Sequence, residues 1–265
     1  MINQDSLLLK KKASLEEHND HQFNVYGDRY SEYRKKYHDA GNFHYEPDFP
    51  LYVMLEQSYK CNLSCKSCIH GYEGERDKYS TGVGTMSWDL FEKIILECED
   101  NNCPSVSMHS NDEPLLIKDL EKRIKFAKSH NIMEVIMTTN GFLMSNERAL
   151  SIINSGVTHI LFSVDAATEK TYNTVRPGGD FNKILAALNF IKSHKKETGN
   201  IMPYVRVSFV QTEKNKLETK LFVKKFEALV DSIEIQGFSS YYNFTNSLIP
   251  IAANRIEAFQ CSEPW

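Results

Sequence analysis

From Leu51 onward, apolar runs of strand length alternate with amphipathic stretches of helix length. That alternation predicts repeated βα units and a parallel sheet. The strand-like runs are 51–57, 105–109, 133–138, 159–164, 204–210 and 232–236. Helical periodicity falls near 87–98, 118–130, 145–155, 180–195 and 216–229. Ser87 and Asp180 each stand just before an apolar-periodic segment, the place of an N-cap. Six strands with five intervening helices fit either an open doubly wound sheet or an incomplete barrel, and periodicity does not choose between them. Residues 1–50 are polar, rich in Lys, Asp, His and Tyr, and weakly periodic; they read as a half-ordered N-terminal extension with a surface helix over 28–38.

Both architectures put functional residues on the loops that leave the C-terminal ends of strands. Those ends carry the unusual residues here: Cys61, Cys65 and Cys68 after the first, Asn111-Asp112-Glu113-Pro114 after the second, Thr139-Asn140-Gly141 after the third, and Ser163-Val164-Asp165 at the fourth. His109 ends the second strand, where it faces either the barrel mouth or the packing.

Composition narrows the class. Apolar residues make up 41% of 265, enough for a real core, and 31 basic against 35 acidic side chains argue for neither nucleic acid nor membrane as a partner. No apolar run reaches the roughly 18 residues of a spanning helix. The lysines of MINQDSLLLKKK follow the apolar patch, the wrong order for a secretory signal. The chain is therefore read as cytoplasmic, and three of its six cysteines fall within eight residues. In a reducing compartment such crowding reads as metal binding.

The spacing Cys61-x3-Cys65-x2-Cys68 lets three thiolates ligate three corners of an iron–sulfur cubane, leaving the fourth iron open. The same cysteines with His70 also make a Cys3His zinc set, and hence a zinc-stabilised, non-catalytic binding module. A full α/β core needs no zinc staple, and a strand end is where such sheets bind cofactors, so the iron–sulfur reading is preferred. Cys98 and Cys103 flank a helix end and read as buried thiols.

The Cys61–Cys65–Cys68 motif after a first strand resembles the defining motif of the radical S-adenosylmethionine (SAM) superfamily. The resemblance spans about residues 51 to 265. It implies a partial (β/α)6 TIM-like barrel, a 4Fe-4S cluster on those three cysteines, and SAM chelating the open iron. In that family an electron from the cluster cleaves SAM to methionine and a 5′-deoxyadenosyl radical, which abstracts hydrogen from the substrate. Asn111-Asp112-Glu113-Pro114 resembles the segment that binds the SAM amino group, with its first two positions departing from glycine. Ser163, in Ser-x-Asp with Asp165, resembles the residue that contacts the ribose. Arg176 resembles an arginine that grips the methionine carboxylate. Thr139 and Asn140 either reach the ribose or make a turn, while Gln236, beside Ile235, lines the adenine pocket. Ser67 stands where the family commonly has an aromatic residue that touches the adenine; either nearby Tyr72 substitutes for it or the adenine is held less tightly. Residues 259–265, with Cys261-x-x-Pro264-Trp265, look like the start of a SPASM-type extension, here truncated. The implied organisation is an extension over 1–50, a core over 51–240 and a linker with the start of that tail over 241–265. The implied partners are a peptide, carbohydrate or other small-molecule substrate and an electron donor such as flavodoxin or ferredoxin.

Overall fold

The computed structural model describes residues 7–10, 12–71 and 84–238. Tyr72 and the 259–265 segment with Cys261, and with it the expected tail over 241–265, lie outside the described residues.

Six parallel strands run in sequence order across one sheet: β2 (Tyr52–Met54), β3 (Ser105–Ser107), β4 (Glu134–Thr139), β5 (His159–Ser163), β6 (Tyr204–Gln211) and β7 (Ser232–Gly237). Between them come α3 (Trp88–Asp100), α4 (Leu120–Ser129), α5 (Asn146–Asn154), α6 (Glu169–Val175), α7 (Phe181–Thr198) and α8 (Thr219–Phe226). The expected α/β architecture is present, a partial TIM-like barrel. The strand alternation explains its two faces. Ile160 and Phe162 of β5 and Val205, Val207 and Phe209 of β6 are buried in one core with the helices. Their neighbours Leu161, Ser163, Arg206 and Ser208 are only half-buried and line the inner face.

Both expected caps form. Ser87 Oγ accepts from Leu90 N at 3.2 Å, and Asp180 Oδ1 accepts from Asn182 N at 2.9 Å and Lys183 N at 3.2 Å. Helix α6, inserted between β5 and α7, was not anticipated; it has seven residues, too few for a periodic signal.

The N-terminal segment departs most from expectation. It is ordered as β1 (Leu7–Lys10), α1 (Lys12–Tyr26) and α2 (Asp28–Gly41), and β1 pairs antiparallel with β7, making a seventh strand. The extension is thus part of the sheet. Tyr30 and Tyr33 pack with Met133, and the Tyr33 hydroxyl donates to buried Glu134 at 2.8 Å. The helices are polar because they cover the N-terminal ends of the strands through hydroxyl and imidazole groups instead of an aliphatic stripe. No helix among the described residues is long and apolar enough to cross a membrane.

Candidate active site

The first strand ends early, at Met54 instead of residue 57, because side chains replace its ladder. Gln57 Nε2 donates to the Met108 carbonyl at 2.8 Å, and the Thr138 N–H donates to His109 Nδ1 at 3.0 Å. His109 therefore carries its proton on Nε2, and burial lowers its pKa to about 4, so the ring is neutral near pH 7. It closes the ladder where β3 and β4 part.

The chain released at Gln57 forms the cysteine loop. Cys68 N donates to the Cys65 carbonyl at 3.1 Å and Gly71 N to the Cys68 carbonyl at 2.9 Å, winding the loop into a 3-10 turn over Ile69–Gly71. Lys66 N donates to the Val175 carbonyl at 3.2 Å, tying the loop to the end of α6. Burial pushes the Cys61 thiol up to about 11 and raises Cys65 too, the latter against the pull of Arg176. Bare thiolates are thus disfavoured, and bound metal is what would hold them ionised.

A single zinc ion needs the donors of this loop to converge on one point. His70 Nε2 donates to the Asn111 carbonyl at 2.7 Å, leaving Nδ1 as the ring's lone-pair nitrogen. Among the described residues the three thiols do not form a group converging on one ion. A cubane needs no such convergence, since each sulfur binds a different iron. Two sulfurs also face donors: Asn140 Nδ2 lies 3.8 Å from Cys61 Sγ, and Arg176 Nη1 lies 3.6 Å from Cys65 Sγ. Asn62 Nδ2, next to Cys61, is buried with no partner. The residues present fit a cluster.

Glu113, Thr139 and Asn140 come together as one network. Glu113 accepts from Thr139 Oγ1 at 2.6 Å, Asn140 N at 2.7 Å and Leu115 N at 3.1 Å. Asn140 continues it to Asn62 Oδ1 at 2.8 Å. Thr139 and Asn140 also make the turn, accepting from Gly141 N and Phe142 N at 3.0 Å each. Asp112 accepts from Ser58 N and Ser110 N, both at 3.1 Å, and stitches its loop to the approach of the cysteines. Pro114 opens a short 3-10 turn, and the Asn111 side chain is exposed.

Burial raises Glu113 to about 7, well above its ordinary 4.5, in spite of its three donors. A raised carboxyl contributes stability that is full below about pH 4.5 and lost as pH climbs through about 7. We expect the denaturation free energy of the cluster-free protein to fall by roughly 3 kcal/mol more over that interval than in a Glu113→Gln chain. Parallel pH profiles would sink this assignment.

Arg176 and Asp165 meet as a buried pair. Arg176 Nε and Nη2 donate to Asp165 Oδ2 at 2.9 and 2.5 Å, while Asp165 Oδ1 accepts from Val210 N at 2.7 Å. The guanidinium fork expected to hold a methionine carboxylate is thus taken by Asp165, with Nη1 left toward Cys65. Ser163 and Gln236 differ from these. Both are half-buried on the inner face, near strand ends, and neither side chain has a hydrogen-bond partner among the described residues. Cys98 and Cys103 are buried beside each other, in line with a packing role. Gly71 and Asn62 are the site residues that sequence reasoning missed.

Comparison with known proteins agrees with the geometry. The chain spans about half or less of the length of the curated relatives it matches. A probable GTP 3′,8-cyclase of Metallosphaera sedula is 26% identical over 176 residues, covering 66% of this chain and 51% of the relative. Mycofactocin maturase MftC of Mycobacterium ulcerans is 29% identical over 146 residues, covering 55% and 37%. In fold, the chain is similar to Streptococcus suis SuiB bound to SAM, with TM-score 0.57, 17% identity and coverage of 80% and 46%. It is similar also to anSMEcpe with bound SAM, with TM-score 0.56, 19% identity and coverage of 73% and 55%. The family model of the radical SAM superfamily matches residues 55–208, which hold the cysteine loop, the Glu113 network and the Arg176–Asp165 pair. This chain belongs to the radical SAM superfamily.

Proposed function

We propose that Cys61, Cys65 and Cys68 bind the family's 4Fe-4S cluster and that the chain carries out radical SAM hydrogen abstraction on a peptide or carbohydrate-type substrate. The observation that carries this reading is the cysteine loop at the strand ends, with Asn140 and Arg176 aimed at two of its sulfurs. When bound, the cluster and SAM supply a reductive cleavage that yields a 5′-deoxyadenosyl radical.

The protein's own part is positioning. Ser163 and Gln236, with polar groups free on the inner face, are the candidates for ribose and adenine contact. The backbone around Asn111, Asp112, Glu113 and Pro114, tied to Thr139 and Asn140 through Glu113, would receive the amino group of SAM. Arg176, fixed by Asp165, would act on the cluster through Cys65. The Cys261-x-x-Pro264-Trp265 segment supports a SPASM-type member. The peptide arm rests on shared fold with SuiB, whose complex holds the precursor peptide SuiA. A cytoplasmic setting, with flavodoxin or ferredoxin as electron donor, completes the reading.

Anaerobic reconstitution with iron and sulfide, then dithionite and SAM, tests it. Wild type should release 5′-deoxyadenosine, and Cys65→Ala should release none above a protein-free control. Equal product from the two would remove Cys65 from the site.

A further inference from the structure

At the end of the sheet opposite the cysteine loop, three potential ligands converge. Glu134 opens β4, His159 opens β5, and His18 comes from α1. One donor atom from each lies within 4.8 Å of the others. His18 is only 4% exposed, and both of its ring nitrogens are buried without a hydrogen-bond partner among the described residues. Leaving such a group unsatisfied costs about 1–3 kcal/mol. Its ring meets those of His159 and Tyr204 edge-on, at 4.7 and 5.3 Å between centroids. A phenylalanine would make those contacts equally well, so packing alone does not account for the nitrogens.

The other two donors are already oriented from behind. Thr158 Oγ1 takes the Val135 N–H at 2.9 Å and gives its own proton to the Val135 carbonyl at 3.0 Å. Toward His159 Nδ1, 3.0 Å away, it therefore acts only as an acceptor. That places the ring hydrogen on Nδ1 and a lone pair on Nε2. Glu134, 3% exposed, is steadied by the Tyr33 hydroxyl at 2.8 Å. Outer hydrogen bonds of this kind fix the tautomer and angle of metal ligands. Nearby cations are engaged elsewhere: Lys128 Nζ bonds the carbonyls of Ile132 and Met133, and Arg206 pairs with Glu234 at 3.1 Å. Arg34 approaches Glu134 at 4.0 Å from a half-exposed position.

We propose that His18, Glu134 and His159 form a binding site for a divalent transition-metal ion, of which zinc suits the donors best, stapling α1 to the base of the barrel. Two imidazole nitrogens and one carboxylate are a zinc-type set, with a fourth position left for water. The site is remote from the cysteine loop and independent of the reaction there.

The test uses the full chain with its cluster reconstituted anaerobically, so that iron occupies the three cysteines. Zinc is added, and binding is followed by chelator competition, X-ray absorption at the zinc edge and thermal melting. We expect one zinc per chain with only nitrogen and oxygen neighbours, and a melting temperature that rises with zinc. His18→Phe keeps the ring contacts and should weaken zinc by at least about 100-fold while abolishing the rise in melting temperature. Glu134→Gln, which keeps an acceptor for Tyr33, should weaken it as well and covers the case of a poorly folded His18→Phe. Sulfur neighbours, no bound zinc, or affinity unchanged in folded variants would overturn the proposal.

Discussion

Gly71→Ala is expected to leave the protein almost without iron after anaerobic reconstitution, although every cysteine is retained. A methyl group at this position would sit 2.0 Å from the Cys65 carbonyl oxygen and 2.7 Å from its carbon. Real Cβ contacts do not occur at such distances, and the obstacle is backbone, which cannot swing aside as a side chain can. Relief requires unwinding the turn in which Cys68 N bonds the Cys65 carbonyl and Gly71 N bonds the Cys68 carbonyl. That movement displaces two of the three sulfurs. Overpacking of this severity costs at least about 3 kcal/mol locally. Iron and acid-labile sulfide per chain, with visible absorbance, provide the measurement. Iron content near wild type would show that the loop has another way to close.

Arg176→Met is expected to destabilise the protein by about 3–5 kcal/mol, because it strands Asp165 as an unpaired charge in a buried position. Asp165 accepts both guanidinium bonds on one oxygen, and its backbone is held left-handed, at φ 59°, with its N–H and carbonyl bonded to Ser208 and Asn215. It therefore cannot turn to water. Asparagine tolerates that backbone region and keeps an acceptor for Val210 N, so adding Asp165→Asn to Arg176→Met should restore much of the loss. The cluster responds differently. Arg176 Nη1 is a positive donor 3.6 Å from Cys65 Sγ, and its removal should make the reduction potential more negative, by less in the double variant, where the Asp165 charge is removed as well. Urea denaturation reads the first effect and a redox titration the second. A double variant as unstable as the single one would mean that the pair is not what holds this corner.

Much of this was readable in advance for a physical reason. Strand and helix signals depend on near neighbours in the chain, so the six parallel strands and the Ser87 and Asp180 caps followed from local pattern. Of the N-terminal helices α2 was expected, over 28–38, but α1 and the docking of both were not, because their contacts to the barrel use polar groups: His18 and Gln22 are buried in α1, and α2 buries Tyr30 and Tyr33. The one available signal was the run Tyr26, Tyr30, Tyr33 and Tyr37, an aromatic stripe at helical spacing that a count of aliphatic positions overlooks.

The site divides in the same way. Three cysteines at close spacing announce themselves, because their chemistry is local to eight residues. By itself the sequence determined the alternating βα order and the place of the cysteine loop after the first strand of the parallel run. Tertiary structure alone decided that His70 bonds the Asn111 carbonyl, that Asp165 takes the fork of Arg176, that Glu113 closes on Thr139 and Asn140, and that His18 meets Glu134 and His159. Those partners lie eleven to more than a hundred residues apart, and a polar side chain carries no record of its partner until folding removes the water that would otherwise satisfy it.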